Sequence, residues 1–342
     1  MDAELTSPIY SDDEAARLHF EGLRWEGGVP VCFHCGVIGE AALVERDEAK
    51  AAARKKAGKK VQRPGLYYCR ACDGQFTATM GTVFEDSHIP MRKWLLAMHL
   101  MNSSKKGISA LQLQRNLGLG SYRTAWFMAH RIREAMGPAG NEPPLGGEGM
   151  VIEADETYFG KTAEQPTMRK DGKPFMADRP EGKGKNRGPA GKRSVVALME
   201  RGGKVRTFHV GNADKSTVAQ ILDAAADKRS RLHTDESHIY KGADRMFASH
   251  ETVNHGAKEY ARGDVTTNSV EGFFNVFKRG MTGVYQHCDE KYLQRYLIEF
   301  EFRHNHRTKL GHSDKERAAL AIKGAVGKRL TLRHPKGQQA SA

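Results

Sequence analysis

Two CxxC pairs constrain the fold of this chain more than any other sequence feature. Cys32 and Cys35 form the first pair, and Cys69 and Cys72 form the second. A CxxC turn places both sulfurs on one side of a tight loop, so two such turns complete a closed four-sulfur site for one tetrahedral Zn²⁺. In a reducing compartment this pattern indicates metal ligands rather than disulfides. We therefore predict a structural zinc site.

The segment between the two pairs is longer than in a compact zinc ribbon, where roughly 15–20 residues separate them. Residues 41–62 account for the excess and are rich in Ala and Lys. We interpret them as an exposed basic hairpin or helical insertion in an N-terminal domain at 1–80, which comprises a helix and the zinc ribbon. His34 lies inside the first pair and is an alternative ligand. A redox pair, or cysteines that are close by chance, is the alternative interpretation of the motif.

The charge of the chain predicts a polyanionic partner. The 342 residues are enough for two or three domains, and they carry a formal net charge of +13. Nucleic acid and an anionic membrane surface both fit this charge. However, no apolar run approaches the roughly 18 residues of a membrane span, and no signal peptide is recognised. We therefore expect a soluble, cytoplasmic protein associated with the nucleoid, with DNA rather than a membrane as its partner.

Residues 81–136 have the apolar periodicity of helices and predict a helix-turn-helix. The turn is expected at 117–120, and Ser121 is expected to start the second helix. In this geometry the first residues of the second helix face base edges, while nearby basic residues contact phosphates. The candidate DNA-binding residues are Lys105, Lys106, Arg115, Tyr122 and Arg123. A plain three-helix bundle with solvated basic residues is the alternative.

A Pro- and Gly-rich stretch at 137–148 predicts a linker, because it can sustain neither a helix nor a strand. Strand-like segments, some alternating with helical ones, follow at 149–310 and predict a mixed α/β domain. Within this domain, residues 161–193 are rich in Gly, Lys and Pro, and we expect a mobile basic insertion there. Residues 311–342 are expected to form a last short helix and a basic tail.

Three acidic residues of the α/β domain are candidate metal ligands. Asp155 is expected at the end of the first strand, Asp235 at the end of a later strand, and Glu271 on a helix within TTNSVEGFFNVFKR. Carboxylates that converge at one sheet edge tolerate their repulsion when a divalent cation neutralises it, and oxygen ligands favour Mg²⁺ or Mn²⁺. Two such ions roughly 3.5–4 Å apart support hydrolysis and transfer of phosphodiesters. Lys278 is expected on the same helix face as Glu271, where it can contact a phosphate.

Spacing alone leaves alternatives open at each position. Neighbouring acids compete for two of the ligand positions: Glu153 and Glu156 beside Asp155, and Glu236 beside Asp235. Because the chain has 41 acidic residues, some triplet at strand ends is expected by chance. The helix that carries Glu271 also fits an ordinary amphipathic surface helix, with Asn268 as its N-cap.

The segments VIEADETYFG, HTDESHIYKG and TTNSVEGFFNVFKRG resemble the catalytic blocks of bacterial insertion-sequence DDE transposases. The resemblance is closer to the subgroup related to eukaryotic Merlin elements, which has a zinc ribbon in front. The cysteine-containing and helical segments are similar to other blocks of the family, and together the matches cover most of 11–307. Two features depart from the family pattern. Thr266 replaces a His that commonly precedes the Thr-Asn pair, and the resemblance implies no role for the insertions at 41–62 and 161–193.

The resemblance implies an RNase H-like catalytic domain after the zinc ribbon and the helix-turn-helix. It also implies that Asp155, Asp235 and Glu271 bind Mg²⁺ or Mn²⁺, that Lys278 belongs to the catalytic signature, and that the N-terminal domains recognise terminal inverted repeats. The implied function is DNA transposition, in which the enzyme cleaves DNA at the element ends and joins each 3′-hydroxyl to target DNA. Because two ends must be brought together, we expect a homodimer or a higher oligomer.

Two other functions compete with transposition. One is a zinc-ribbon and helix-turn-helix protein that binds DNA without cutting it. The intact set of three acids and Lys278 argues against this function, since a pure DNA-binding protein has no need of them. The other is a nuclease of the same fold that hydrolyses DNA but never joins it.

Overall fold

The computed structural model describes residues 4–59, 61–161 and 191–331. Most of the predicted insertion at 161–193 and the end of the predicted tail lie outside the described residues. The chain divides into two compact units. The first contains the described parts of Met1–Ser104, Ile108–Gly137 and His312–Ala342, and the second contains those of Lys105–Gly107 and Pro138–Gly311.

The first unit begins with a helix and a small antiparallel sheet. Its elements up to residue 136 are α1 (Asp13–Arg24), β1 (Ala41–Leu43), α2 (Glu48–Lys56), β2 (Leu66–Cys69), β3 (Gln75–Thr77), α3 (Met91–Ser103), α4 (Ala110–Leu117) and α5 (Tyr122–Met136). The three strands pair in the order β1-β2-β3. The 41–62 segment therefore contributes one strand to this sheet and the helix α2, so it is partly helical and is not a separate hairpin.

Helices α4 and α5 form the predicted helix-turn-helix shape. The turn opens at Gly118, whose left-handed conformation (φ 56°) ends α4 and suits a residue without a Cβ. Ser121 then caps α5, because its side chain accepts a hydrogen bond from the Thr124 backbone N–H at 3.1 Å. Leu113 on α4 and Ala125 on α5 are fully buried. This outcome agrees with the predicted turn and with Ser121 as the start of the second helix.

The second unit is built on a five-stranded mixed sheet. Its elements are β4 (Val151–Phe159), β5 (Arg193–Glu200), β6 (Val205–Val210), α6 (Lys215–Ala225), β7 (Arg231–Asp235), β8 (Ser249–Val253), β9 (Ala261–Arg262), β10 (Val265–Thr266), α7 (Asn268–Gly280) and α8 (Leu293–Asn305). The order of the main sheet is β6-β5-β4-β7-β8. Strand β4 pairs antiparallel with β5 and parallel with β7, and β7 pairs parallel with β8. The predicted layout, a zinc ribbon followed by a mixed α/β domain, is confirmed.

Helices cover both faces of this sheet, and each face has its own apolar core. On one face, Ile152 and Ala154 of β4 pack in a cluster with Val218 and Leu222 of α6. On the other face, β5 residues join a cluster formed by apolar residues of α7 and α8. Because successive side chains of a strand point to opposite faces, odd-numbered residues of β4 face α7 and even-numbered ones face α6.

The C-terminal segment contains the last short helix that the sequence predicts. It contains α9 (Asp314–Lys323), which starts with a capping box between Ser313 and Glu316. Arg317 of α9 donates a hydrogen bond to the backbone carbonyl of Asn102 on α3 at 2.6 Å. Helix α9 therefore belongs to the first unit, which also contains the zinc ribbon and helices α3 to α5. Across the described residues, no helix is both long and apolar enough to span a membrane.

Candidate zinc site and candidate active site

The four cysteines of the two CxxC pairs come together in the first unit. All four Sγ atoms lie within 4.8 Å of one another. The Sγ atoms of Cys32 and Cys72 are 3.7 Å apart, and those of Cys35 and Cys69 are also 3.7 Å apart. A tetrahedral zinc ion with Zn–S bonds of about 2.3 Å requires S···S distances of about 3.8 Å. The cysteine geometry fits a structural Zn²⁺ and is too open for disulfides, in which the sulfurs are about 2.05 Å apart.

His34 has another partner, although the sequence left it open as an alternative ligand. Its Nε2 atom lies 3.0 Å from the backbone carbonyl oxygen of Gln75 on β3. This contact connects the loop of the first CxxC pair to the three-stranded sheet of the zinc ribbon. The ligand set that the structure favours is therefore the four cysteines alone.

In the second unit, the pairing of β4 with β7 sets Asp155 beside Asp235. Glu153 of β4 is aligned with His233 of β7 in a parallel register. Asp155 and Asp235 lie two residues beyond this aligned pair, each on its own strand. Because side chains two residues apart point to the same face, the two acids lie side by side on the face of Glu153 and His233. Asp235 is the last residue of β7, as predicted, but β4 continues to Phe159. Asp155 therefore lies in the middle of a strand rather than at its end.

Helix α7 brings Glu271 to the same face of the sheet. Glu153 of β4, which is fully buried, accepts hydrogen bonds from the first backbone N–H groups of the helix, those of Ser269 at 2.8 Å and Val270 at 3.2 Å. Arg201 pairs with the same carboxylate at 2.9 Å. Glu153 thus anchors the start of α7 next to Asp155, two residues along β4. This role, which the sequence did not reveal, removes Glu153 from the competing ligands.

The predicted N-cap of α7 is shifted by one residue. Asn268 is the first helical residue, and Thr267 occupies the cap position, but its side chain accepts no hydrogen bond from a helix N–H. Its hydroxyl instead donates to Oε1 of Glu271 at 2.9 Å. Thr266, which stands where the family commonly has His, contacts the Asn268 N–H and the Tyr260 carbonyl. Because the Thr267 hydroxyl bonds to Glu271, the N–H groups at the start of α7 are bonded by the carboxylate of Glu153 instead.

The pKa values of Asp155 and Asp235 are raised by their surroundings, including the other acids of the site. Burial, and after it mainly the negative charges of Glu156, Asp235 and Glu271, raise the pKa of Asp155 to about 8. Burial also raises the pKa of Asp235, although the Ser237 backbone N–H counteracts this effect. Asp155 and Asp235 therefore hold their protons more strongly than free carboxyl groups do.

The other two competing acids have partners of their own. Glu156 lies on the opposite face of β4 from Asp155 and accepts a hydrogen bond from the hydroxyl of Tyr240 at 3.0 Å. Burial raises the pKa of Glu156 to about 7, with Asp235 as the next cause. Glu236 accepts hydrogen bonds from the backbone N–H groups of His255 and Gly256. Of the two neighbouring acids Asp155 and Glu156, Asp155 is the one that lies on the α7 face of β4.

The donor set fits a hard divalent cation. Asp155, Asp235 and Glu271 offer carboxylate oxygens only, which suits Mg²⁺ or Mn²⁺. Thr267 occupies Oε1 of Glu271, and among the described residues no hydrogen bond reaches Oε2. A cation at this position would favour the charged forms of the acids and thereby reverse the upward pKa shifts.

The predicted DNA-contacting residues lie at exposed positions in both units. Lys278 is exposed in the last turn of α7, and Arg115, Tyr122 and Arg123 are exposed on α4 and α5. Lys105 and Lys106 are also exposed, but they belong to the second unit and not to the helix-turn-helix unit. Of the five candidate DNA-binding residues, three therefore lie in the first unit and two in the second.

Comparison with known proteins defines the class. Residues 144–305 match the family model of the ISXO2-like transposase domain, and residues 11–75 match that of the transposase zinc-ribbon domain. These matches define a DDE-type transposase. More particularly, the chain belongs to the insertion-sequence transposases that combine an ISXO2-like domain with an N-terminal zinc ribbon, as the resemblance predicted. An uncharacterised protein in transposable element ISH50 of Halobacterium salinarum is 28% identical over 302 residues, which is 86% of this chain and 90% of that protein.

Proposed function

We propose that this protein catalyses both chemical steps of DNA transposition. In the first step, water attacks the phosphodiester at an element end, and the bond to the 3′-oxygen breaks to leave a free 3′-hydroxyl. In the second step, this 3′-hydroxyl attacks a phosphodiester of target DNA, so a new bond joins element to target and a target 3′-hydroxyl leaves. The observation that carries the proposal is the shared placement of Asp155, Asp235 and Glu271 on one face of the sheet.

The candidate catalytic residues of the second unit have two separate roles in the proposal. Asp155, Asp235 and Glu271 hold two divalent cations in an RNase H-like domain. When bound, these ions supply activation of the attacking oxygen and stabilisation of the leaving oxygen. Lys278 binds a phosphate next to the scissile bond, since it is exposed on the same helix as Glu271. Asp155 and Asp235 are half-buried, which strengthens their electrostatic contacts relative to fully exposed carboxylates.

The first unit supplies DNA recognition. Its zinc ribbon and helix-turn-helix bind the terminal inverted repeats, with Tyr122 and Arg123 at base edges and Arg115 at phosphates. Lys105 and Lys106 contribute phosphate contacts from the second unit. Two element ends must be held together for joining, so the active form is a homodimer or a higher oligomer. The net charge of +13 supports binding to DNA and association with the nucleoid.

The test is strand cleavage of the DNA that flanks the gene, with Mg²⁺, by the wild type and by Asp235→Asn. We expect the wild type to cut at the repeat boundaries only when metal is present, and the variant to bind the repeats normally without cutting. Joined products with added target DNA would separate a transposase from a nuclease. If neither protein cuts but both bind the repeats, the chain is a DNA-binding protein without catalysis.

A further inference from the structure

A short loop after β8 brings an imidazole to the carboxylate of Glu271. His255 lies in this loop, and its Nε2 atom is 3.5 Å from Oε1 of Glu271 and 3.4 Å from Oγ1 of Thr267. Thr267 Oγ1 is in turn 2.9 Å from the same Oε1 atom. The three atoms therefore form a triangle of contacts, with Oε1 of Glu271 at one corner.

The hydrogen atoms of this triangle can be assigned from chemistry. A threonine hydroxyl has one hydrogen, and that of Thr267 is directed at the Glu271 carboxylate, which can only accept when it is ionised. Oγ1 therefore accepts from its other neighbour, so His255 donates through Nε2–H. The hydrogen bonds run from His255 to Thr267 and from Thr267 to Glu271.

The backbone around His255 is itself held in place. The exposed carboxylate of Glu236 accepts from the N–H of His255 at 2.9 Å and from the N–H of Gly256 at 2.8 Å. The imidazole ring also packs edge to face on Tyr260, with ring centroids 5.4 Å apart. Glu236 directly follows Asp235, so the loop that presents His255 is tied to the strand that presents the second acid.

We propose that His255, acting through Thr267, is a positioning residue that holds Oε1 of Glu271 and leaves Oε2 to bind the cation. This proposal rests on the proposed function and extends it to residues for which no role has been assigned. A carboxylate whose one oxygen is held by Thr267, which is itself held by His255, loses less freedom when the other oxygen binds metal. Removing such outer contacts typically costs 10–100-fold in metal affinity.

The test is calorimetric titration of Mn²⁺ into the full-length zinc-loaded protein without DNA. His255→Ala and Thr267→Val should raise the Kd for Mn²⁺ about tenfold or more. His255→Gln, whose amide can replace the Nε2–H donor, and Thr267→Ser, which keeps the hydroxyl, should stay near the wild type. His287→Ala removes an exposed imidazole elsewhere in the second unit and serves as the matched control.

Three readouts separate this role from a merely structural one. The side chain of His255 is 31% exposed, so its loss should leave Tm and repeat binding unchanged while the Mn²⁺ concentration for half-maximal cleavage rises. Wild-type Mn²⁺ affinity in His255→Ala, or equal loss in His255→Ala and His255→Gln, would overturn the positioning role while the proposed function stands. If the wild type itself neither binds Mn²⁺ nor cuts DNA, both proposals fail.

Discussion

Glu153→Gln is the substitution that most directly tests how the second unit is assembled. Glu153 is fully buried, and each of its oxygens accepts two hydrogen bonds. Oε1 receives Arg201 and the Ser269 hydroxyl, both at 2.9 Å, and Oε2 receives the N–H groups of Ser269 and Val270. Glutamine keeps the shape of the side chain but replaces one oxygen by an NH₂ group. At Oε2 this group would face two backbone N–H donors, and at Oε1 it would face Arg201, while the Ser269 hydroxyl can turn to accept.

The size of the effect follows from the lost contacts. A hydrogen bond to a charged group contributes about 1.5–3 kcal/mol, so one or two lost bonds cost about 1.5–6 kcal/mol. Breaking a buried ion pair costs about 3–5 kcal/mol by an independent estimate, which agrees. For a domain of roughly 150–250 residues, each kcal/mol lowers Tm by about 2–4 °C, so about 4 kcal/mol corresponds to roughly 8–16 °C.

Thermal unfolding followed by circular dichroism measures this shift. Glu259→Gln is the matched control, because Glu259 lies in the same unit and accepts one backbone N–H, from Asn254 at 3.2 Å, near the surface. Its Tm should stay within about 2 °C of the wild type, as for most surface substitutions. A Tm for Glu153→Gln as close to the wild type as that of the control would refute the idea that β4 anchors α7 through this carboxylate.

Three further outcomes are expected. Cys69→Ser should release zinc, unfold the ribbon and weaken repeat binding, whereas unchanged metal content in atomic absorption would contradict the four-cysteine site. Raising salt from 50 to 200 mM should weaken repeat binding by about 10³–10⁵ if 6–10 phosphates are contacted, and a flat salt dependence in gel-shift titrations would exclude a phosphate-dominated interface. The pKa of Asp155 is raised to about 8 from an unfolded value of about 3.9, so its contribution to stability is full below about pH 4 and is lost as pH rises through about 8. The zinc-loaded protein without Mg²⁺ should therefore melt at a lower Tm at pH 8 than at pH 5, while Mg²⁺ or Asp155→Asn should reduce the difference, and an unchanged pH dependence in Asp155→Asn would argue against this origin.

Local patterns predicted the elements of both units. The CxxC turns indicated the zinc site because each turn sets its own sulfur geometry within four residues. The turn at Gly118 and the cap at Ser121 were also predictable, since each depends on the chemistry of one residue and its immediate neighbours. The helix that carries Glu271 and Lys278 was predicted from its apolar periodicity, with only its cap misplaced by one residue.

Contacts between distant segments escaped this reasoning. The sequence VIEADETYF contains three acids within four residues, and nothing in it says which one faces α7. Likewise, the apolar residues of α9 indicate that the helix is buried, but not that its partner is α3, more than 200 residues earlier. His255 belongs to the same category, because it reaches Glu271 only through the fold of the loop after β8.

The sequence by itself determined the zinc ligands, the order of helices and strands, and the family, because these depend on residue types at short and regular spacings. Only the tertiary structure decided that Glu153 anchors α7, that Glu156 points to the other face, and that Asp155 lies beside Asp235. The physical reason is strand register: a shift of one residue would move every side chain of β4 to the opposite face of the sheet. That register depends on pairing with β5 and β7 and on the cores on both faces, which no local segment encodes.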